Sequence, residues 1–240
     1  MKLTALPLVL PLVSGERTLD DVREIARHHR IQATPGYADA ATALVERLRE
    51  TGLRVEVEIV PGDGRTALAG MIMPLGWNCT SATAELHAAD GTTPCADFER
   101  EPLSLVQRSV PVLGRWPVCA FAAGADGTRA EDYAGLDVRG RVVLTDGAVG
   151  RVHALAVRER GAAGILSDGR RLVPPARTRE HDRDSLAYTS FWWGDETPTA
   201  GASCCRPRPA SACASGSRRA STWSCRRASR RRSRRCRSRS

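Results

Sequence analysis

Two hundred and forty residues suit one large domain or two small ones, and a chain that is 42% apolar and 26% charged is an ordinary folding sequence. The net charge of +9 is unevenly placed: residues 1–200 carry 23 Lys and Arg against 27 Asp and Glu, while residues 201–240 carry 13 Arg and no acid. The body therefore has no basic excess with which to hold a polyanion, and the last forty residues, which also lack Leu, Ile, Val, Met and Phe, are a different kind of sequence.

At the N-terminus, Lys2 followed by an apolar stretch and Val13-Ser14-Gly15 only partly meets the pattern of a signal peptide. Pro7 and Pro11 interrupt the apolar run, so a cytoplasmic chain is expected, with export as the alternative. Thr18 is positioned to cap a first helix with Leu19, Val22, Ile25 and Ala26 on one face. Thr34-Pro35 opens a second helix, with the stripe Ala41, Leu44, Val45 and Leu48 and with Gly52 at its end. RVEVEIV (54–60) alternates strictly and predicts a half-buried strand.

From Pro61 to Tyr133 the signal weakens. ALAGMIM and LSLVQRSV read as short strands, and GRWPVCAFAAG (114–124) has no clear period. Beyond it, GLDVRG predicts a turn, RVVLTDG a buried strand, VGRVHALAVRER a helix and GAAGILSDG a turn into a second buried strand. A parallel strand–helix–strand unit over 141–168 follows.

Candidate chemistry is sparse. Cys79, Cys95 and Cys119 are widely spaced, with no C-x-x-C pair, which argues against a disulfide framework or a thiolate zinc site. His28 and His29 are neighbours on a helix end and point apart, and His153 falls on the crossover helix without a ligand partner. His87 has no accompanying motif. His181-Asp182-Arg183-Asp184 sets an imidazole beside two carboxylates, yet the flanking arginines favour a charged surface loop. The glycines of GAAGILSDG form no phosphate loop, and Ser167 and Ser190 lack a nucleophile-elbow context. Phe191-Trp192-Trp193 is either a ligand-stacking surface or a packing anchor. No catalytic or metal residue is assigned from these patterns, and no substrate-binding residue.

Taken together, HHRIQATPGYADAATALVERLRETGLRVEVEIVP, EDYAGLDVRGRVVLTDG and RERGAAGILSDG resemble bacterial co-catalytic zinc aminopeptidases that carry a protease-associated insert. PPARTR (174–179) and YTSFWW (188–193) look like the continuation in one subgroup. The likeness covers about residues 14–195. It implies an α/β chain with an N-terminal extension (1–17), the start of a peptidase domain (18–60) and a protease-associated-like region (61–195); the basic tail (196–240) lies outside the likeness and is set apart by composition. Zinc and a peptide substrate belong to the parent family by the same resemblance. Its ligands and general-base Glu lie in motifs that no stretch here matches, so this chain is expected to bind no zinc and to be inactive.

The tail is expected to be disordered and to come from a shifted reading frame beginning at about 195–203. Pairing each codon's third base with the next codon's first two turns Cys204-Cys205 into Leu and Trp223-Ser224 into Val or Glu. With high-GC codons the rest gains an amphipathic-helix pattern and an alternating strand pattern, which the printed frame does not show. The alternative is a non-enzymatic protein whose Arg-rich tail contacts nucleic acid without a readout module.

Overall fold

A computed structural model describes residues 7, 10–88, 91–110, 112–178, 180–181, 185–191, 201–204 and 222–226. The chain divides into two compact units, Met1–Gly76 and Trp77–Ser240.

In the first unit, helix α1 spans Gly15–Ala26 and α2 spans Pro35–Glu50. The cap of α1 is Ser14, whose side chain accepts from Arg17 N, and not Thr18 as expected. Thr18 already lies in the first turn, where its hydroxyl donates to Ser14 O at 3.0 Å. For α2 the expected start holds: Thr34 accepts from Tyr37 N, and Pro35 sits where an N–H would have no partner. Its end is a glycine cap, with Gly52 at φ 84° donating to Arg49 O and Leu53 donating to Leu48 O. The two helices share an ion pair, Arg47 Nε to Asp21 at 2.9 Å.

The stretch 54–60, expected as a half-buried strand, has no strand assignment. A strand is stabilised by a ladder and by a covered face; among the described residues this stretch has no ladder partner, and although Val55 is half-buried, Val57 is 58% and Ile59 90% exposed. ALAGMIM does form strands, β1 (Ala67–Leu68) and β2 (Met71–Ile72), paired antiparallel. Both turn residues, Ala69 and Gly70, have positive φ, as a tight hairpin of this twist requires.

The second unit is built on one mixed sheet. Its strands are β3 (Thr83–Ala88), β4 (Gly91–Asp97), β5 (Gly114–Ala120), β6 (Val142–Thr145), β7 (Gly164–Ser167), β8 (Gly201–Cys204) and β9 (Thr222–Arg226), in the order β4-β3-β9-β5-β6-β7-β8. The pairs β5–β6, β6–β7 and β7–β8 are parallel, and the others antiparallel. Between β6 and β7 the chain forms helix α3 (Val149–Val152), which continues as a π-helical turn over His153–Arg158. The expected strand–helix–strand unit is therefore present and parallel.

Burial follows from the period of two. In β6 and β7, Val143 and Ile165 join one cluster with Val149, Val152, Leu155, Ala156 and Phe191, while Val142 and Leu166 join another with Ala84 and Ala96. Strands covered on both faces read as continuous apolar runs, which is why VVL and GIL were legible. A third cluster joins Trp77, Cys79, Ala82 and Leu105, with Trp77 edge-on to Phe98.

One further expectation needs correction. LSLVQRSV is no strand: Pro102–Ser104 is a 3-10 turn, and Arg108, at φ 68°, breaks the extended run. Within the tail, Gly201–Cys204 and Thr222–Arg226 are strands of the sheet. Backbone ladders need no aliphatic side chain, and Thr-Trp-Ser-Cys-Arg alternates polar with apolar residues, as one strand face requires. The rest of the tail lies outside the described residues.

Candidate functional site

In a parallel sheet the ladder ends where the strands' carboxyl ends open, and loops there are free to carry chemistry. Here β6 and β7 end in the same way, in Thr145-Asp146-Gly147 and Ser167-Asp168-Gly169. Each hydroxyl holds its own turn: Gly147 N donates to Thr145 Oγ1 at 2.9 Å, and Gly169 N to Ser167 Oγ at 3.4 Å. Thr145 Oγ1 in turn donates to Asp126 O. Asp168 N donates to Thr145 O, so the two turns are tied together.

The loop before β6 closes over this edge. Asp126 Oδ1 accepts from both the N–H and the hydroxyl of Thr128, which holds its carboxyl below the usual carboxylate range. Asp132 Oδ2 accepts from Gly127 N and Arg129 N, and the Tyr133 hydroxyl donates to Gly127 O at 2.7 Å. Burial pushes the Tyr133 phenol up to about 12, and the Arg160 guanidinium lies 4.4 Å from its ring centre. These groups spend their polar atoms on holding the loop. The arrangement is a scaffold edge, and its carboxylates serve as backbone acceptors.

Among the described residues no histidine sits in a cluster that could hold a metal. His87 pairs across β3 and β4 with Thr92, Nδ1 to Oγ1 at 2.8 Å, and its Nε2 is 3.7 Å from Glu85. His181 sits in an exposed turn, Nδ1 3.1 Å from Thr178 Oγ1; Asp182 and Asp184 lie outside the described residues. His28 and His29 are half-buried after α1. His153 is buried in the π-helical turn, its ring 5.0 Å from that of Phe191, and its Nε2 has no hydrogen-bond partner among the described residues. Burial, with Arg158 adding to it, lowers the pKa of His153 below the ordinary 6.5.

Ser167 is buried in β7, and Ser190 bridges to Gln107. Of the aromatic trio, Phe191 is a packing anchor in the core; Trp192 and Trp193 lie outside the described residues. Burial pushes the Cys119 thiol up to about 11, so it is held as a thiol at neutral pH. Sequence reasoning missed Gln107, Arg108 and Ser109, three consecutive buried polar residues. The fully buried Gln107 links the chain on both sides: its N–H donates to Thr189 O and its carbonyl accepts from Phe191 N.

Zinc, implied by the resemblance, finds no fit: among the described residues no three His, Cys, Asp or Glu side chains are grouped to hold a metal ion. Nor, among those residues, is any helix long and apolar enough to cross a membrane.

No protein-family model matches the chain, and no curated protein matches it. Two solved structures are similar in outline. One is an aminopeptidase from Aneurinibacillus sp. strain AM-1, at 13% identity and a TM-score of 0.44, covering 91% of this chain and 44% of that one. The other is a zinc aminopeptidase from Bacillus subtilis, at 10% identity and a TM-score of 0.45, covering 82% and 39%. This chain spans less than half the length of either.

Proposed function

We propose that these residues are the N-terminal part of a zinc-dependent aminopeptidase-like hydrolase acting on peptides, and that they have no turnover by themselves. One observation carries the reading. The block by which the sequence resembles the protease-associated insert, GLDVRG–RVVLTDG–VGRVHALAVRER–GAAGILSDG, falls on a turn, β6, the α3–π helix and parallel β7 in that order. The helices α1 and α2 likewise occupy the segment that resembles the opening of the peptidase domain. A co-catalytic site requires His and carboxylate ligands at fixed positions, and no stretch of this sequence matches the family's ligand motifs.

The composition break supports a second part of the proposal, that residues from about 195–203 onward are read out of frame. The test begins with the coding DNA. Restoring the frame and expressing the product through to its own stop codon is expected to give zinc binding and hydrolysis of an aminoacyl anilide, abolished by a chelator. The 240-residue chain supplied with zinc is expected to do neither. Two zinc ions per 240-residue chain, or chelator-sensitive turnover by it, would overturn the claim of inactivity. A restored product without ligand motifs would overturn the hydrolase reading.

A further inference from the structure

The centre of the sheet in the second unit is filled from far along the chain. Strand β9 lies between β3 and β5 and runs antiparallel to both. Without it, the facing edges of β3 and β5 present two rows of backbone donors and acceptors separated by the width of one strand. Such a gap is a binding site for extended peptide, since the ladder supplies affinity and the alternating side-chain positions supply selectivity.

The register states what the gap selects. Position 223 aligns with Leu86 on one side and Trp116 on the other, and position 225 with Ala84 and Gly114. Ala84 is buried, and Trp116 packs against the same cluster, so these two positions border the apolar face. Positions 222 and 224 align with His87 and Pro117, and with exposed Glu85 and Arg115, on the alternate row. Among the described residues the buried indole N–H of Trp116 has no hydrogen-bond partner, and it stands 3.5 Å from where a Cβ on Gly114 would lie. That puts a donor in need of an acceptor beside position 225.

We propose that the gap between β3 and β5 is a binding site for an extended peptide that pairs antiparallel with both strands, has apolar residues at alternate positions, and carries a hydrogen-bond acceptor at position 225; β9 occupies it in cis. The inference does not rest on the hydrolase reading; it concerns the chain with β9 as it stands. A buried donor that gains a partner adds about tenfold in affinity.

The experiment uses the full chain and three labelled peptides: a copy of residues 220–228, the same peptide with Cys225→Thr, and a scrambled control. Binding is measured to the unsubstituted chain and to Trp223→Pro, which removes a ladder donor from β9 and disfavours its insertion. The copy peptide is expected to bind Trp223→Pro at least tenfold more tightly than the unsubstituted chain. The threonine peptide should be about tenfold tighter again, and the scrambled one should not compete. Equal binding of the copy and scrambled peptides, or of one peptide to both proteins, overturns the proposal. If Trp223→Pro does not fold, hydrogen exchange of the unsubstituted chain decides. Excess threonine peptide is expected to slow exchange in residues 83–88 and 114–118, and unchanged rates there overturn the proposal.

Discussion

His153 shows how little a histidine must do to matter. Its ring packs on Phe191 within the largest core cluster, and burial holds its pKa below 6.5. Above that pH both the folded and the unfolded chain hold it neutral, and it leaves stability unaffected. As the pH falls through 6.5 the unfolded chain takes up the proton while the folded chain resists, so stability is lost toward the lowered folded value. Chemical denaturation at pH 7.5 and pH 5.5 should show that loss. His153→Phe, which keeps a ring of similar size and cannot titrate, should shrink the difference between the two midpoints. An unchanged difference would mean that another group carries the pH dependence.

At the scale of elements, the turn from β6 into α3 holds two glycines with opposite requirements. A Cβ on Gly147 would lie 2.7 Å from Thr128 Cγ2 and 2.8 Å from Asp126 O, so the turn works only because the loop is allowed to come that close. Gly150, three residues on and inside the helix, has nothing within 4 Å of such an atom. Gly147→Ala is expected to destabilise by about 1–3 kcal/mol through forced displacement of the loop. Gly150→Ala should stabilise by roughly 0.5–1 kcal/mol, because alanine gives up less backbone entropy in a helix. Thermal melts of the two variants, moving in opposite directions, are the check. The same neighbourhood explains what the sequence disclosed. VVLTDG, the following helix and GILSDG were legible because their signals are local: apolar runs bounded by glycine, and the spacing of Val152, Leu155 and Ala156. Thr34-Pro35 and Gly52 were legible for the same reason, since a cap depends on residues within one turn. The edge network of Asp126, Thr128, Asp132 and Tyr133 was not, because its hydrogen bonds join side chains to backbone groups that only the folded loop brings near. The strand expected at 54–60 failed in the opposite sense: its pattern is correct, but pairing depends on a partner that alternation alone does not supply. In β9 the partners are present, and a segment set aside for its composition takes part in the sheet.

For the molecule as a whole, charge is divided between a slightly acidic body and a tail with 13 Arg. Phosphate neutralisation by such a tail is a counterion effect, indifferent to base sequence. Two unrelated oligonucleotides should therefore bind with equal affinity at low salt. Both should lose about 10³-fold or more between 50 and 200 mM salt if six or more phosphates are engaged. A preference for one of them at physiological salt would favour the nucleic-acid-binding alternative over an out-of-frame tail.

The largely exposed stretch from Leu53 to Val60 bears on how the protein behaves in a tube. Val55, Val57 and Ile59 recur on every second residue, and the backbone beside them has no ladder assigned, so many copies of the segment could stack into fibrils. Glu56 and Glu58 interrupt that pattern with charge on the alternate row, and Arg54 pairs with Glu56 at 3.1 Å. Substituting both glutamates by threonine is expected to raise fibril formation, read by dye binding over time, because the exposed Val57 and Ile59 would then lack interrupting charge.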